Sequence, residues 1–191
     1  MSNYKYNFII ITGDPGVGKT TLTKKLVSNI THKGVKCSGF YTEEVRNNGV
    51  REGFDVVDLD GRRGCLARDQ TLINGPVRCK VGKYAVLVQE FESIALPSLA
   101  QNEYIKPHLL VIDEIGKMEF FSEKFKQNIK NIFSDTSKNV VLATIPVRRN
   151  DTLIESIRNH SRTKVWTVTR ENRNNIHEDI LKEMKLALNI D

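Results

Sequence analysis

Residues Gly13, Asp14, Pro15, Gly16, Val17, Gly18, Lys19 and Thr20 satisfy the spacing G-x-x-x-x-G-K-[ST] with no residue out of place. The chemistry this spacing serves is polyphosphate binding. Glycines let consecutive backbone N–H groups turn toward phosphate oxygens at close range. Lys19 supplies a mobile cation for the β- and γ-phosphates, Thr20 a hydroxyl for a metal ion, and Thr21 extends the set at the helix start. A second group of reactive side chains follows Leu109, Leu110, Val111 and Ile112, where an apolar run ends in Asp113 and Glu114. A carboxylate at the end of a buried strand can hold Mg²⁺ opposite the Thr20 hydroxyl, or simply cap the next helix. With a complete phosphate loop upstream the metal role is the stronger reading, and it makes Thr20 and Asp113 the metal set. A glutamate directly after it is placed to orient and deprotonate a water, although a solvated strand-end glutamate would look the same.

Further candidates sit at other strand ends. Thr144 closes the apolar run from Val140 and would lie near the γ-phosphate if that strand falls between the phosphate-loop strand and the Asp113 strand. A helix cap or a loop residue would fit that position equally. Arg148, Arg149, Arg170 and Arg173 are candidate cations for charge developing during phosphoryl transfer. Asn172 and Arg173 follow the last strand, where open α/β sheets bind ligands, and are candidates for base or sugar contact. Asn172 or Thr169 could also serve only as a helix cap.

The elements that must carry these groups alternate. Phe8 to Ile11 reads as a buried strand, and a helix runs from the loop to about Thr31. Strands are expected over Lys36–Val45 and Gly53–Leu59, joined by the turn signal Asn47, Asn48, Gly49. This places a β-hairpin insertion at about residues 36–60. The Gly/Arg-rich stretch 60–80 reads as a loop, and Tyr84–Val88 as a strand before a helix that reaches about Asn102 and is disturbed by Pro97. Strands at His108–Ile112, Val140–Thr144 and Lys164–Val168 alternate with helices. Phe121, Phe125, Ile129, Ile132 and Phe133 repeat at helical spacing, Leu153–Asn159 reads as a further helix, and one from Ile176 to Leu188 closes the chain. The pattern implies a mostly parallel, doubly wound sheet covered on both faces, in a single domain over residues 1–191.

Bulk properties narrow the function. Of 191 residues, 39% are hydrophobic and 27% charged, which is ordinary for a soluble globular domain and leaves no 18-residue apolar span. Tyr4, Lys5 and Tyr6 run straight into the first strand, so no leader is expected and the location is cytoplasmic or nuclear. Cys37, Cys65 and Cys79 lack paired spacing and are expected to be reduced, and the four histidines show no metal spacing. The net charge of +6 raises nucleic acid as a partner, but no block of five like charges and no aromatic–basic interleaving supports it.

Taken together, Gly13–Thr21, Gly39–Arg46, Arg51–Leu59, Asp113–Glu119, Thr144–Pro146 and Thr169–Asn174 resemble the cancer-related nucleoside-triphosphatase family, whose prokaryotic members are the thermophilic nucleoside-triphosphatases. The likeness runs almost end to end. It implies a three-layer α/β/α, RecA-like P-loop fold with the hairpin inserted. It also implies slow, Mg²⁺-dependent hydrolysis of several nucleoside triphosphates (ATP, GTP, CTP and UTP) to the diphosphate and phosphate with little base selectivity; separately, a monomer is expected. Arg148, Arg149 and residues 60–80 depart from the eukaryotic pattern. A nucleotide or small-molecule kinase, and a nucleotide-dependent binding switch, share most of this site and stay open at this point.

Overall fold

The computed structural model describes residues 6–100 and 107–191. Its centre is the run Phe8–Gly13 (β1), in which every residue is buried. Successive side chains of a strand point to opposite faces, so a continuous apolar run signals burial on both sides. That is what the two cores show. Phe8 and Ile10 belong to one, and Ile9 and Ile11 to the other.

Four further strands complete the parallel part of the sheet: Lys36–Asn47 (β2), His108–Asp113 (β7), Val140–Ile145 (β8) and Thr163–Val168 (β9). Their order is β2, β7, β8, β1, β9, all parallel. The strand β8 therefore lies between β1 and β7, as the position of Thr144 required. Helices Lys19–His32 (α1) and Ile176–Leu188 (α5) cover one face, with Leu22, Leu26, Ile180 and Met184 in that core. Helices Val88–Ser98 (α2), Glu123–Ile132 (α3) and Thr152–Arg158 (α4) cover the other through Phe91, Phe125, Ile129, Ile154 and Ile157. Three aromatic rings, Phe40, Phe91 and Phe125, meet edge to face at 5.2–5.9 Å and join β2 to two of those helices. Among the described residues no helix is long and apolar enough to cross a membrane.

Beyond β2 the sheet continues in the antiparallel sense. Residues Val50–Asp58 (β3), Arg63–Asp69 (β4), Lys80–Val81 (β5) and Tyr84–Val86 (β6) add four strands in the order β5, β6, β4, β3. The β2–β3 turn has positive φ at both Asn48 and Gly49 (47° and 80°), as a two-residue hairpin turn demands. The insertion is thus larger than a hairpin. Residues 60–80, expected as a loop, contain β4 and part of β5. The reason lies in the partners of its arginines. Arg63 Nη1 donates to Asp55 Oδ2 at 2.8 Å and Arg68 pairs with the other oxygen of the same carboxylate, across the strand boundary. Charge that reads as solvated loop in one dimension is satisfied between strands in three. Two other boundaries differ. The strand expected at Tyr84–Val88 stops at Val86 and lies in the antiparallel margin, since Leu87 already caps α2. That helix ends at Ser98 with Pro97 in its last turn, and Asn102 lies outside the described residues. In α3 the Ser122 hydroxyl caps the helix by accepting the Phe125 N–H at 3.0 Å, so the helix starts two residues after Phe121, which belongs to a short 3₁₀ turn with Glu119.

Candidate active site

Of the expected groups, the loop Gly13–Thr21, Asp113, Glu114 and Thr144 converge at the carboxyl ends of β1, β7 and β8, while Asn172 and the arginines do not. The loop between β1 and α1 is anchored by Val17, which is buried in the α1-side core, while Asp14, Pro15 and Gly16 are exposed. Gly16 and Gly18 hold φ of 74° and 111°, values a side chain resists, and Gly18 is the N-cap of α1. The α1 N-terminus thus opens directly onto the loop, with unpaired N–H groups and the positive end of the helix dipole facing an anion site.

Lys19 is the first residue of α1 and its side chain is 10% exposed. Its Nζ donates to Gly13 O at 2.9 Å and lies 3.9 Å from Glu114 Oε2. Asp113 is buried at the end of β7. Its Oδ1 accepts from Thr144 Oγ1 at 2.5 Å, and Oδ2 has no hydrogen-bond partner among the described residues. Burial pushes the Asp113 carboxyl up from its ordinary pKa, opposed by the Thr144 and Thr20 hydroxyls and by Lys19 and Lys24. A buried carboxylate oxygen left without a donor is costly, and a hard cation beside a hydroxyl removes that cost. Asp113 Oδ2 and the Thr20 hydroxyl therefore fit a divalent ion. Glu114, joined to Asp113 by a cis peptide, is one-third exposed. Burial raises its pKa, Lys19 lowers it, and the Asp113 charge raises it. These are the influences that bring a carboxylate toward the range useful to a general base.

The model matching residues 8–181 of this sequence describes a family of NTPases. The chain belongs to that family. It is 45% identical to the human cancer-related nucleoside-triphosphatase over 91% of its own length and 94% of that protein. The crystal structure of THEP1 from Aquifex aeolicus superposes with a TM-score of 0.79 at 39% identity, covering 93% of this chain and 98% of the other. The solution structure of the human cancer-related nucleoside triphosphatase gives 0.77 at 44% identity, over 92% and 95% of the two chains. The relatives thus match the parallel sheet and the antiparallel extension together.

Other expected residues lie farther from this centre or are engaged elsewhere. Thr144 is fully buried, and its one hydroxyl proton goes to Asp113, so it touches the site through that carboxylate. Its carbonyl accepts the Ile115 N–H at 2.9 Å, which fixes the chain on both sides of Glu114. Asn172 is used within its own turn: Oδ1 accepts from Thr169 N at 2.8 Å and Nδ2 donates to Thr167 O at 2.9 Å. Arg148, Arg149, Arg170 and Arg173 are exposed, and among the four only Arg149 has an ion-pair partner among the described residues, Glu155 at 4.0 Å.

Two features of the site escaped the sequence. Lys24, one turn into α1, pairs with Glu43 of β2, lies 5.2 Å from the Tyr41 ring centre, and acts on Asp113 electrostatically. Tyr41 is the cross-strand partner of Asp113. The second is Glu119, a buried carboxyl beside Glu114. Only the helical spacing from Thr20 to Lys24 hinted at the first, and no spacing rule pointed to the second.

Proposed function

We propose that this chain is a Mg²⁺-dependent nucleoside-triphosphatase that cleaves several nucleoside triphosphates to diphosphate and phosphate, slowly and as a monomer. The observation that carries the reading is Glu114: a carboxylate one residue beyond the metal-site Asp113 and 3.9 Å from Lys19 Nζ. That places a base beside the cation of the phosphate loop, where an attacking water must pass. In this reading the N–H groups and Lys19 of Gly13–Thr21 orient the triphosphate, and Thr20 and Asp113 hold the Mg²⁺. When bound, Mg²⁺ would neutralise charge on the β- and γ-phosphate oxygens. Glu114 takes the proton of the water as its oxygen approaches the γ-phosphorus, and the bridging oxygen leaves with the diphosphate. Arg173 and Asn172 border the side where the base and sugar would lie.

Low turnover is supported by the exposed arginines. An unanchored guanidinium must be ordered before it can stabilise a transition state, and ordering such a side chain costs on the order of 1–2 kcal/mol.

Breadth of substrate follows from which atoms the site addresses. Phosphate release from ATP, GTP, CTP and UTP should give kcat/KM values within about tenfold of one another, a spread of roughly 1.4 kcal/mol. A hundredfold preference for one nucleotide would mean that a base pocket exists and would refute the broad reading.

A second outcome tests the metal assignment. Replacing Thr144 by Val keeps its shape but leaves Asp113 Oδ1 without a donor. Outer partners of metal ligands are typically worth 10–100-fold in metal affinity. The Mg²⁺ concentration for half-maximal phosphate release should therefore rise by about that factor, with maximal turnover recovered at high Mg²⁺. An unchanged Mg²⁺ titration would remove Asp113 from the metal set.

A further inference from the structure

We propose that Glu119 is a positioning residue for Glu114, holding the water-activating carboxylate against Lys19 from the far side of Gly116. The inference rests on the base role given to Glu114 above.

Glu119 is a carboxyl where the fold has little use for one. It is 5% exposed and lies in the short 3₁₀ turn that follows the site strand. A Glu side chain is almost never buried unless it is partnered. Its partners are the Gly116 N–H and its own N–H, so it closes the turn that carries Glu114 into α3. Burial, together with the neighbouring Glu114 and Asp113 charges, pushes its pKa up to about 8. Near neutral pH it is accordingly a protonated acid, which can approach Glu114 without like-charge repulsion.

Both carboxyls crowd the bare Cα of Gly116, and the Glu114 charge acts on Glu119. A Cβ at that position would sit 2.9 Å from Glu119 Oε2 and 3.0 Å from Glu114 Oε1. A Cβ would be too close to Glu119 Oε2 and tight against Glu114 Oε1, so with any side chain at 116 both carboxyl ends would have to shift from where they now lie. The backbone on either side is already fixed. Ile115 N–H donates to Thr144 O at 2.9 Å, and Phe120 N–H donates to Gly116 O at 3.1 Å. What those bonds leave free is the Glu114 side chain, with three rotatable bonds and a third of its surface in solvent. Lys19 faces its Oε2, while its Oε1 lies over Gly116, on which the Glu119 carboxyl also closes. Removing that carboxyl lets the Glu114 side chain swing without altering a phosphate or metal ligand.

Steady-state kinetics and nucleotide binding on five variants test this. Glu119→Ala should lower kcat by about 10²-fold, the scale of an ångström's misplacement of a reacting group, with Mg²⁺-ATP affinity within about threefold. Glu119→Gln preserves shape and an acceptor oxygen and should keep kcat within about threefold of the parent. Gly116→Ala retains the Glu119 side chain but makes both carboxyl ends shift off the new Cβ, so it should reproduce the kcat loss at unchanged affinity, even if Glu119→Ala does not fold. In a Glu114→Gln background Glu119→Ala should cost nothing more, because it acts only through Glu114. The proposal is overturned if Glu119→Ala and Gly116→Ala both keep parental kcat. Equal loss in Glu119→Gln and Glu119→Ala, or a parallel loss of affinity, also overturns it. If Glu114→Gln alone turns over normally, the base reading itself has failed, and that result is distinct from failure of the positioning role.

Discussion

Lys19→Ala should eliminate measurable phosphate release from every nucleoside triphosphate while leaving a folded protein. Among the described residues the Lys19 Nζ meets the Gly13 and Asp14 carbonyls of the loop and Glu114 beyond β7. What disappears is the one cation held at the loop by the strand–loop–helix geometry. A single preorganised donor to a developing oxyanion is commonly worth 10²–10³-fold in kcat, and Lys19 addresses the β- and γ-oxygens together. The loss should therefore reach at least three orders of magnitude, about 4 kcal/mol. Arginine should not rescue it, because a planar fork cannot occupy the space of a compact ammonium folded against backbone carbonyls. Thermal melting and phosphate-release assays on the same preparation check both halves. Turnover within a few-fold of the parent would place the catalytic centre outside the loop.

The phosphate loop was readable in one dimension because its determinants are local. Its glycines, Lys19 and Thr20 must be contiguous, and the flanking strand and helix announce themselves by apolar runs of different period. Asp113 and Glu114 were readable because a buried parallel strand ends abruptly in charge. The strand β4 was not readable. Arg63 and Arg68 look solvent-bound in sequence, and only the position of Asp55 on β3 converts them to strand residues. Thr144 was placed by sheet order, yet its hydrogen bond to Asp113 spans 31 positions and no periodicity contains it. Glu119 was hidden for the opposite reason. A glutamate amid Met118, Phe120 and Phe121 gives no clue that the chain makes a tight turn there and buries its carboxyl. Partners distant in sequence hide the first two features, and a tight local turn hides the third.

The reading as a hydrolase depends most on Glu114, and Glu114→Gln separates water activation from binding. The amide matches the carboxylate in size and can still accept a hydrogen bond, but it cannot take a proton. Positioned general bases contribute typically 10²–10⁴-fold, so kcat should drop by at least about two orders of magnitude. Affinity for Mg²⁺-ATP should stay within a few-fold, because the proposed phosphate and metal contacts come from Lys19, Thr20 and Asp113. The pair Lys19–Glu114 adds a second signature. The carboxylate draws Lys19 Nζ to 3.9 Å, and its neutralisation frees the ammonium for phosphate, so binding should tighten rather than weaken. Single-turnover experiments should then show a long-lived complex holding intact triphosphate. Asp113→Asn should behave differently, raising the Mg²⁺ requirement. A switch with slow turnover would share the Glu114→Gln loss but would also need a partner whose binding depends on the trapped state. If Glu114→Gln releases phosphate at the parental rate, water is not activated there. A phosphoryl acceptor other than water then becomes the better explanation of a site that keeps its lysine and metal ligands.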